Sequence, residues 1–272
     1  MNTQGFILFI FSICAAGILI LIYPKYLHRY FQKYLIVLIL GAITLAYVFF
    51  GRFLPIFIEL IDPKNAPDPK IQTRVSNMLS LDMCPFMALC FPLLMILDKK
   101  RKYLIIMAPF AFFGGAISIF GASFSDFEHG LNPASITWSY IFVGNKVDHL
   151  FFMMHFALLL NATIIMCSTR YYWQRMVIGG TIWCVAFFIY AILFAYSIGI
   201  QVHAFGVVKD DWLPGSGQFG AVAEVTNTTY PWSMIIGYVF FGGIIGLVGM
   251  GFNYIKKIPW YAKLKYDFNL KK

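Results

Sequence analysis

The stretch Asn77–Leu97, NMLSLDMCPFMALCFPLLMIL, decides the class of this protein. Its apolar run from Met78 onward is long enough, as a helix, to cross the ~30 Å hydrocarbon core of a bilayer. Near one end the run carries an acid, Asp82, and a thiol, Cys84. Because a charged side chain inside a span costs about 3 kcal/mol, Asp82 marks a candidate functional site whose partners must come from other spans.

The composition of the whole chain supports the same class. Of its 272 residues, 60% are hydrophobic and 12% are charged. Soluble domains carry about 25% charged residues, so a water-soluble fold could not bury this much apolar surface. We therefore predict a polytopic membrane protein with one transmembrane domain, residues 1–252, and a basic cytoplasmic tail, residues 253–272.

Apolar runs of about twenty residues predict seven spans. They lie at about residues 5–23, 34–61, 78–97, 103–120, 148–166, 176–198 and 232–252. The fold class that we predict is therefore all-α, a bundle of seven transmembrane helices. No internal repeat is evident in the sequence, which argues mildly against the two-halves architecture of many transporters.

The positions of the Lys and Arg residues predict the orientation of the bundle. Fifteen of the 21 lie in the first, third and fifth connections and the tail, five lie in the other loops, and Arg52 lies inside the second span. This asymmetry places the N-terminus outside and the C-terminus in the cytoplasm. The net charge of +9 therefore reflects topology, and we predict no nucleic-acid partner. We expect a multi-pass protein of the cell membrane whose partners are membrane lipids.

The sequence predicts no cofactor and no metal site. The five cysteines lie in or beside apolar spans, and no two of them have the spacing of two to four residues that metal ligands show. The same placement argues against a disulfide framework. Phosphate-binding loops, dinucleotide-binding fingerprints and HExxH helices are also absent from the sequence.

Helical periodicity groups several ionisable residues near the outer boundary. Arg52 and Glu59 are seven residues apart near the outer end of the second span, so they share one helix face. Asp148 and His155 are also seven apart, and we expect the same of them at the start of the fifth span. His149 lies beside Asp148 at this boundary. Asp148 and His149 are alternatively plain boundary residues without a functional role.

The third span places two more candidate site residues at the same depth in the bilayer. Asp82 and Cys84 are both in its outer half, but they are about 200° apart on a regular helix, so both point into one pocket only if Pro85 loosens that geometry. Asp82 is either catalytic or the counter-ion of Arg52. Arg52 itself either stabilises the fold or binds an anionic head group.

Cys84 and His155 each allow two interpretations. Cys84 is either a nucleophile or a buried thiol, since a nucleophilic thiol needs a nearby base and a lowered pKa. His155 is either a proton carrier or a buried histidine whose hydrogen bonds are satisfied. A contact of about 4 Å between the Cys84 sulfur and the His155 ring would support the nucleophile.

Four short motifs resemble a known family. LSLDMC at Leu79–Cys84, FFGGA at Phe112–Ala116, FMMH ending at His155 and YPW at Tyr230–Trp232 are similar to motifs of the YwaF-type integral membrane proteins. These are seven-span bacterial proteins, similar to a human transmembrane protein described as a cysteine-dependent lipid acyltransferase. The bias toward Phe, Ile, Lys and Asn suggests a member from an AT-rich bacterium of the mycoplasma kind.

The resemblance implies roles for individual residues. Cys84 matches the cysteine of the family and His155 matches its later histidine. The histidine of the family's cysteine motif falls at Asp82 in this chain, which replaces an imidazole by a carboxylate.

Two functions of different class follow. In the first, the protein acts on lipid by acyl transfer, with Cys84 as acyl acceptor and His155 as base, held by Asp148. In the second, it is a proton-coupled transporter or a membrane protein that binds a lipid or small molecule. A membrane scaffold is the third possibility. The predicted substrate-binding residues are Asp82, Arg52, Glu59 and His149.

Overall fold

The computed structural model describes residues 3–61, 83–121, 138–144, 149–169, 173–198, 209–213 and 218–266. These residues are almost entirely helical, and the described part of the chain contains no β-strand, only one isolated bridge between Gly144 and His149. The predicted all-α fold class is therefore confirmed. Asp82 and Asp148 lie outside the described residues, as do residues 62–81, 122–137 and most of residues 199–217.

Twelve α-helices make up the described chain. They are α1 Thr3–Ile22, α2 His28–Phe31, α3 Tyr34–Val48, α4 Leu54–Ile61, α5 Met83–Leu97, α6 Leu104–Gly121, α7 Trp138–Phe142, α8 Phe151–Ser168, α9 Trp173–Ile198, α10 Gln218–Thr226, α11 Trp232–Ile255 and α12 Pro259–Ala262. A π-helical turn, Tyr23–Leu27, joins α1 to α2, and a second, Phe49–Phe53, joins α3 to α4. A 3₁₀ turn covers Lys209–Trp212.

Six helical segments of the described chain are long and apolar enough to cross a membrane. They are Gly5–Phe31, Tyr34–Ile61, Leu104–Gly121, Phe151–Ser168, Met176–Leu193 and Trp232–Ile255. The predicted third span is represented by the shorter apolar helix Cys84–Leu97, because the residues before it are not described. The protein is thus a membrane-embedded, multi-pass helical protein.

Helix boundaries differ from the prediction in two places. The basic residues after the first span do not form a turn, since the helix continues through them to Phe31. The fifth span does not begin at Asp148, because Leu150 has left-handed backbone angles and the helix starts at Phe151. Asp148 lies outside the described residues, so its sharing of a helix face with His155 stays a prediction.

Helix α8 is the centre of the bundle. Within it 72% of the residues are buried, against 17–44% in the other five long spans. Its closest neighbour is α6, and Gly115 makes this approach possible: a Cβ atom there would lie 2.6 Å from the backbone oxygen of His155. Small residues permit such backbone contact between membrane helices. Gly41 has the same role between α3 and α5, where a Cβ atom would meet Met95 at 2.7 Å.

A hydrogen bond inside the bundle joins α8 to α3. The side-chain amide of Asn161 donates to the hydroxyl oxygen of Thr44 over 3.0 Å, and both residues are buried. Polar side chains that bond across helices in this way stabilise membrane bundles by about 0.6 kcal/mol each. The bond fixes the rotation of α8 about its axis, which in turn decides where His155 points.

The C-terminal end of α8 is held by buried polar side chains. We call this end of the bundle the basic end. Arg101 donates to the hydroxyl of Ser168 over 2.6 Å, Gln32 donates to the Ser168 carbonyl over 2.8 Å, and the Lys256 ammonium donates to the Thr169 carbonyl. The last carbonyls of a helix have no partner inside it and carry partial negative charge, so cations are stabilising there.

Candidate functional site

The end of the bundle opposite the basic end carries a group of ionisable residues. We call Arg52, Glu59, His149 and His155 the polar cluster. His149 connects its members: its Nε2 atom lies 3.1 Å from a carboxylate oxygen of Glu59, and its carbonyl oxygen accepts a hydrogen bond of 2.8 Å from Arg52. The structure therefore brings three of the predicted substrate-binding residues together, with Arg52 and Glu59 facing the same neighbour.

The backbone at the polar cluster is irregular on both sides. Arg52 lies on the π-helical turn Phe49–Phe53, and such turns occur frequently at functional sites. Opposite this turn, Leu150 has a φ of 60°, which costs roughly 1–2 kcal/mol for a residue with a Cβ atom. The two segments touch, because a Cβ atom at Gly51 would lie 3.1 Å from the Leu150 side chain. Strain of this kind persists only where the surrounding structure enforces it.

The strained residue also determines where the His149 carbonyl points. The Leu150 amide donates to the Val143 carbonyl over 2.8 Å, and His149 pairs with Gly144 in the isolated bridge. The chain thus doubles back before α8 begins. This reversal turns the His149 carbonyl toward Arg52.

His155 is the most unusual residue of the cluster. Its side chain is 2% exposed, and its Nδ1 atom lies 2.7 Å from the carbonyl oxygen of Phe151. Because a carbonyl oxygen can only accept, Nδ1 carries the proton and Nε2 presents a lone pair. That Nε2 atom is buried and has no hydrogen-bond partner among the described residues. Leaving a buried acceptor unpaired costs about 1–3 kcal/mol, so it requires an explanation.

Arg52 brings a positive charge to the same region. It is 4% exposed, and it lies within electrostatic range of the His155 ring. A cation inside a span is costly and is usually retained for a functional or structural reason. An anionic group bound by Arg52 would therefore also be close to the Nε2 atom of His155.

Within the part of the chain that the structure describes, the side-chain hydrogen bonds of Cys84 and His155 go to different residues. The Cys84 sulfur shares a hydrogen bond of 3.3 Å with the hydroxyl of Ser118 on α6, whereas the one ring hydrogen bond of His155 in the described chain goes to Phe151. The expected contact of about 4 Å between nucleophile and base therefore stays a prediction. Ser118 lies one helical turn beyond Gly115, which touches the His155 backbone, so the thiol is near the polar cluster but has a hydroxyl as its neighbour.

Asp82 and Asp148 lie outside the described residues, so the proposed pairing of Asp82 with Arg52 and the support of His155 by Asp148 stay predictions. Within the described ranges, no group of three His, Cys, Asp or Glu residues could hold a metal ion. The cluster thus offers a cation, a hydrogen-bonded pair of His149 and Glu59, and a hydrogen-bond acceptor.

The polar residues of the basic end were not predicted as site residues. In the sequence Arg101 is one of four consecutive basic residues, and nothing distinguishes it from its neighbours. The structure buries it to 1% exposure, because its backbone is left-handed with a φ of 54° and directs the side chain inward. No sequence signal would have separated Arg101 or Lys256 from the other positive charges of the predicted topology.

Comparisons with known proteins assign the chain to a family and give no activity. Residues 11–272 match a family model described as "Family of unknown function (DUF5378)". Uncharacterized protein MG135 of Mycoplasma genitalium is 25% identical over 98% of this chain and 94% of its own length. Uncharacterized protein MG135 homolog of Mycoplasma pneumoniae is 27% identical over 76% of this chain and 74% of its own. No solved structure matches the chain.

These relatives agree with the predicted source of the chain but add no support for the predicted family. Both come from mycoplasmas, which agrees with the mycoplasma-type source inferred from composition. The matched family has no described function, so the resemblance to YwaF-type proteins and to lipid acyltransferases gains no support from it.

Proposed function

Since the chain belongs to the DUF5378 family, whose function is unknown, we propose a function from the polar cluster itself. The protein binds an amphiphile that carries an acidic group and a neighbouring hydroxyl group. The observation that carries this proposal is the buried Nε2 atom of His155, which has no hydrogen-bond partner within the described ranges. A hydrogen-bond donor on the ligand would complete this acceptor.

Two groups of the cluster define the ligand. Arg52 attracts the acid, phosphate or carboxylate, and guanidinium groups suit both because they present several donors in one plane. The His155 lone pair accepts from the hydroxyl. A phospholipid with a hydroxylated head group has both features, and so does a free polyol phosphate.

The surroundings favour the lipid as the source of this chemistry. Phe49 and Phe50 of the same π-helical turn are 46% and 64% exposed on the outside of the bundle. Acyl chains can lie against such aromatic side chains while the head group reaches Arg52. The cell membrane is therefore the expected location, with the polar cluster in the outer leaflet.

Acyl transfer through Cys84 is less well supported than binding. A thiol becomes a nucleophile when a base removes its proton, and the hydroxyl of Ser118, its neighbour at 3.3 Å, is not a base at neutral pH. Proton-coupled transport is the second candidate function. It rests on Nε2 of His155, the ring atom that would take the proton inside the bundle.

Lipid binding to purified protein tests the proposal. We would measure the melting temperature in mild detergent with phosphatidylglycerol, phosphatidylcholine or free glycerol phosphate added. The variants are Arg52→Gln and His155→Asn, because asparagine can still donate to the Phe151 carbonyl but has no acceptor at the Nε2 position. Thr163→Val is the matched control, since Thr163 is also buried on α8 and bonds the carbonyl four residues earlier.

We expect phosphatidylglycerol to raise the melting temperature of the wild type and of Thr163→Val, and to have little effect on the two cluster variants. Stabilisation by glycerol phosphate alone would identify a soluble ligand. Equal stabilisation of all four proteins would refute binding at the cluster. Uptake into vesicles that depends on a pH gradient and on His155 would favour transport instead.

A further inference from the structure

A groove on the membrane-facing side of the basic end has no part in the polar cluster. It lies between α6 and α9 and has a volume of about 300 Å³. Its lining residues are Lys102, Tyr103, Ile106, Ile178 and Gly179. The two helices approach closely at its floor, because a Cβ atom at Gly179 would lie 2.6 Å from the Ile106 side chain.

The turn before α6 places a positive charge at the mouth of this groove. Asp98 caps α6 by accepting hydrogen bonds of 2.7 and 2.9 Å from the amides of Tyr103 and Leu104. Arg101 points inward and holds the other side of the turn by its bond to Ser168. With both sides fixed, Lys102 is left exposed at the rim of the groove.

The rest of the groove is suited to hydrocarbon. Ile106 follows Lys102 by four residues, one turn further along, and Ile178 lies opposite on α9, where it is 62% exposed. Tyr103, which is 65% exposed, brings an aromatic ring to the boundary, a position where tyrosine is enriched in membrane proteins. None of the five lining residues is acidic. The groove therefore presents a positive charge above an apolar surface.

We propose that this groove binds one anionic phospholipid of the adjacent leaflet. Its phosphate pairs with Lys102, its glycerol region lies beside Tyr103, and the start of an acyl chain packs on Ile106 and Ile178. A volume of about 300 Å³ is at the small end for a ligand site, so it takes this part of the lipid and leaves the rest of the chains in the bilayer. The positive charge of Lys102 favours an anionic lipid over a zwitterionic one.

Counting bound lipids by native mass spectrometry tests this site. The purified full-length protein would be titrated with phosphatidylglycerol and, separately, with phosphatidylcholine. Lys102→Gln removes the charge at the rim. Lys100→Gln is the matched control, because Lys100 lies in the same turn and does not line the groove. Ile178→Trp fills the groove from an exposed position, which leaves the packing of α6 against α9 unchanged.

We expect the wild type and Lys100→Gln to retain one phosphatidylglycerol molecule that Lys102→Gln binds about fivefold more weakly, as one lysine near an anionic surface implies. Ile178→Trp should lose this molecule, and His155→Asn should keep it, which separates it from any lipid at the polar cluster. Equal retention in all the variants, or equal retention of phosphatidylcholine, would overturn the proposal. A dimer that dissociates in Ile178→Trp would show that a second copy of the chain covers the groove.

Discussion

Replacing Gly115 by alanine should loosen the centre of the bundle, because a Cβ atom there would lie 2.6 Å from the His155 oxygen and 3.0 Å from the Leu159 nitrogen. Both are backbone atoms of α8, so they cannot move aside without shifting the helix. The adjacent Gly114 provides the control, since a Cβ atom at that position meets nothing within 4 Å. The two substitutions make the same chemical change on the same helix.

The size of the effect follows from comparing the two variants. Each gains the higher helix propensity of alanine, worth roughly 1 kcal/mol in water, and this gain cancels in the comparison. Overpacking at Gly115 costs about 1–3 kcal/mol. We therefore expect Gly115→Ala to have a free energy of unfolding about 2 kcal/mol below that of Gly114→Ala, or a melting temperature ~5 °C lower.

Thermal unfolding in one mild detergent, followed by tryptophan fluorescence, measures this difference. Gly115→Ala should also weaken the phosphatidylglycerol response of the polar cluster, because it displaces α8 at His155. If the two variants unfold at the same temperature, the close contact of α6 with α8 is not what holds the bundle together. The reasoning from Gly115 to the position of His155 would then fail as well.

Three other outcomes are expected. A double-mutant cycle of Asn161→Leu and Thr44→Val should give a coupling of about 0.6 kcal/mol in the free energy of unfolding, and a value of zero would exclude their hydrogen bond. Thioester-specific labelling should find no acyl group on Cys84. Cys90→Ala is the control for the second thiol of α5. An adduct that is lost only in Cys84→Ala would establish acyl transfer. Burial raises the pKa of Tyr261 in the folded protein. Above a pH of about 10 the tyrosine therefore loses its proton in the unfolded chain but keeps it in the folded protein, so its contribution to stability falls as the pH rises. Tyr261→Phe should reduce that alkaline loss in a pH series of melting temperatures, and an unchanged pH profile would contradict it.

Part of the polar cluster could be predicted from the sequence. Arg52 and Glu59 were grouped by their spacing, and both contact His149, although Arg52 lies on a π-helical turn and Glu59 on α4. The start of the fifth span was predicted less well, because α8 begins only at Phe151, after the left-handed Leu150. Periodicity cannot locate a break of this kind, since nothing in the residue types around Leu150 marks a backbone reversal.

For Cys84 and His155 as well, the residues came from the sequence and their hydrogen-bond partners came from the structure. The sequence singled out both as candidate reactive side chains inside apolar spans. Their hydrogen-bond partners are Ser118 and the Phe151 carbonyl, and these depend on how α5 and α6 rotate about their axes and on the rotamer of His155. Such rotations are fixed by packing at Gly115 and Gly41, which a hydropathy pattern does not encode.

The sequence alone determined that this is a helical, multi-pass membrane protein, because hydrocarbon allows only segments that satisfy their own backbone hydrogen bonds, and the lengths of apolar runs record where they lie. It also located a charged residue in the second span. Only the tertiary structure decided that α8 is central, that Arg101 is buried while Lys102 stays exposed, and that His155 keeps an unpaired acceptor. These features arise from contacts between helices. Such contacts bury one cation inside the bundle and leave the next one exposed, where it can bind a ligand.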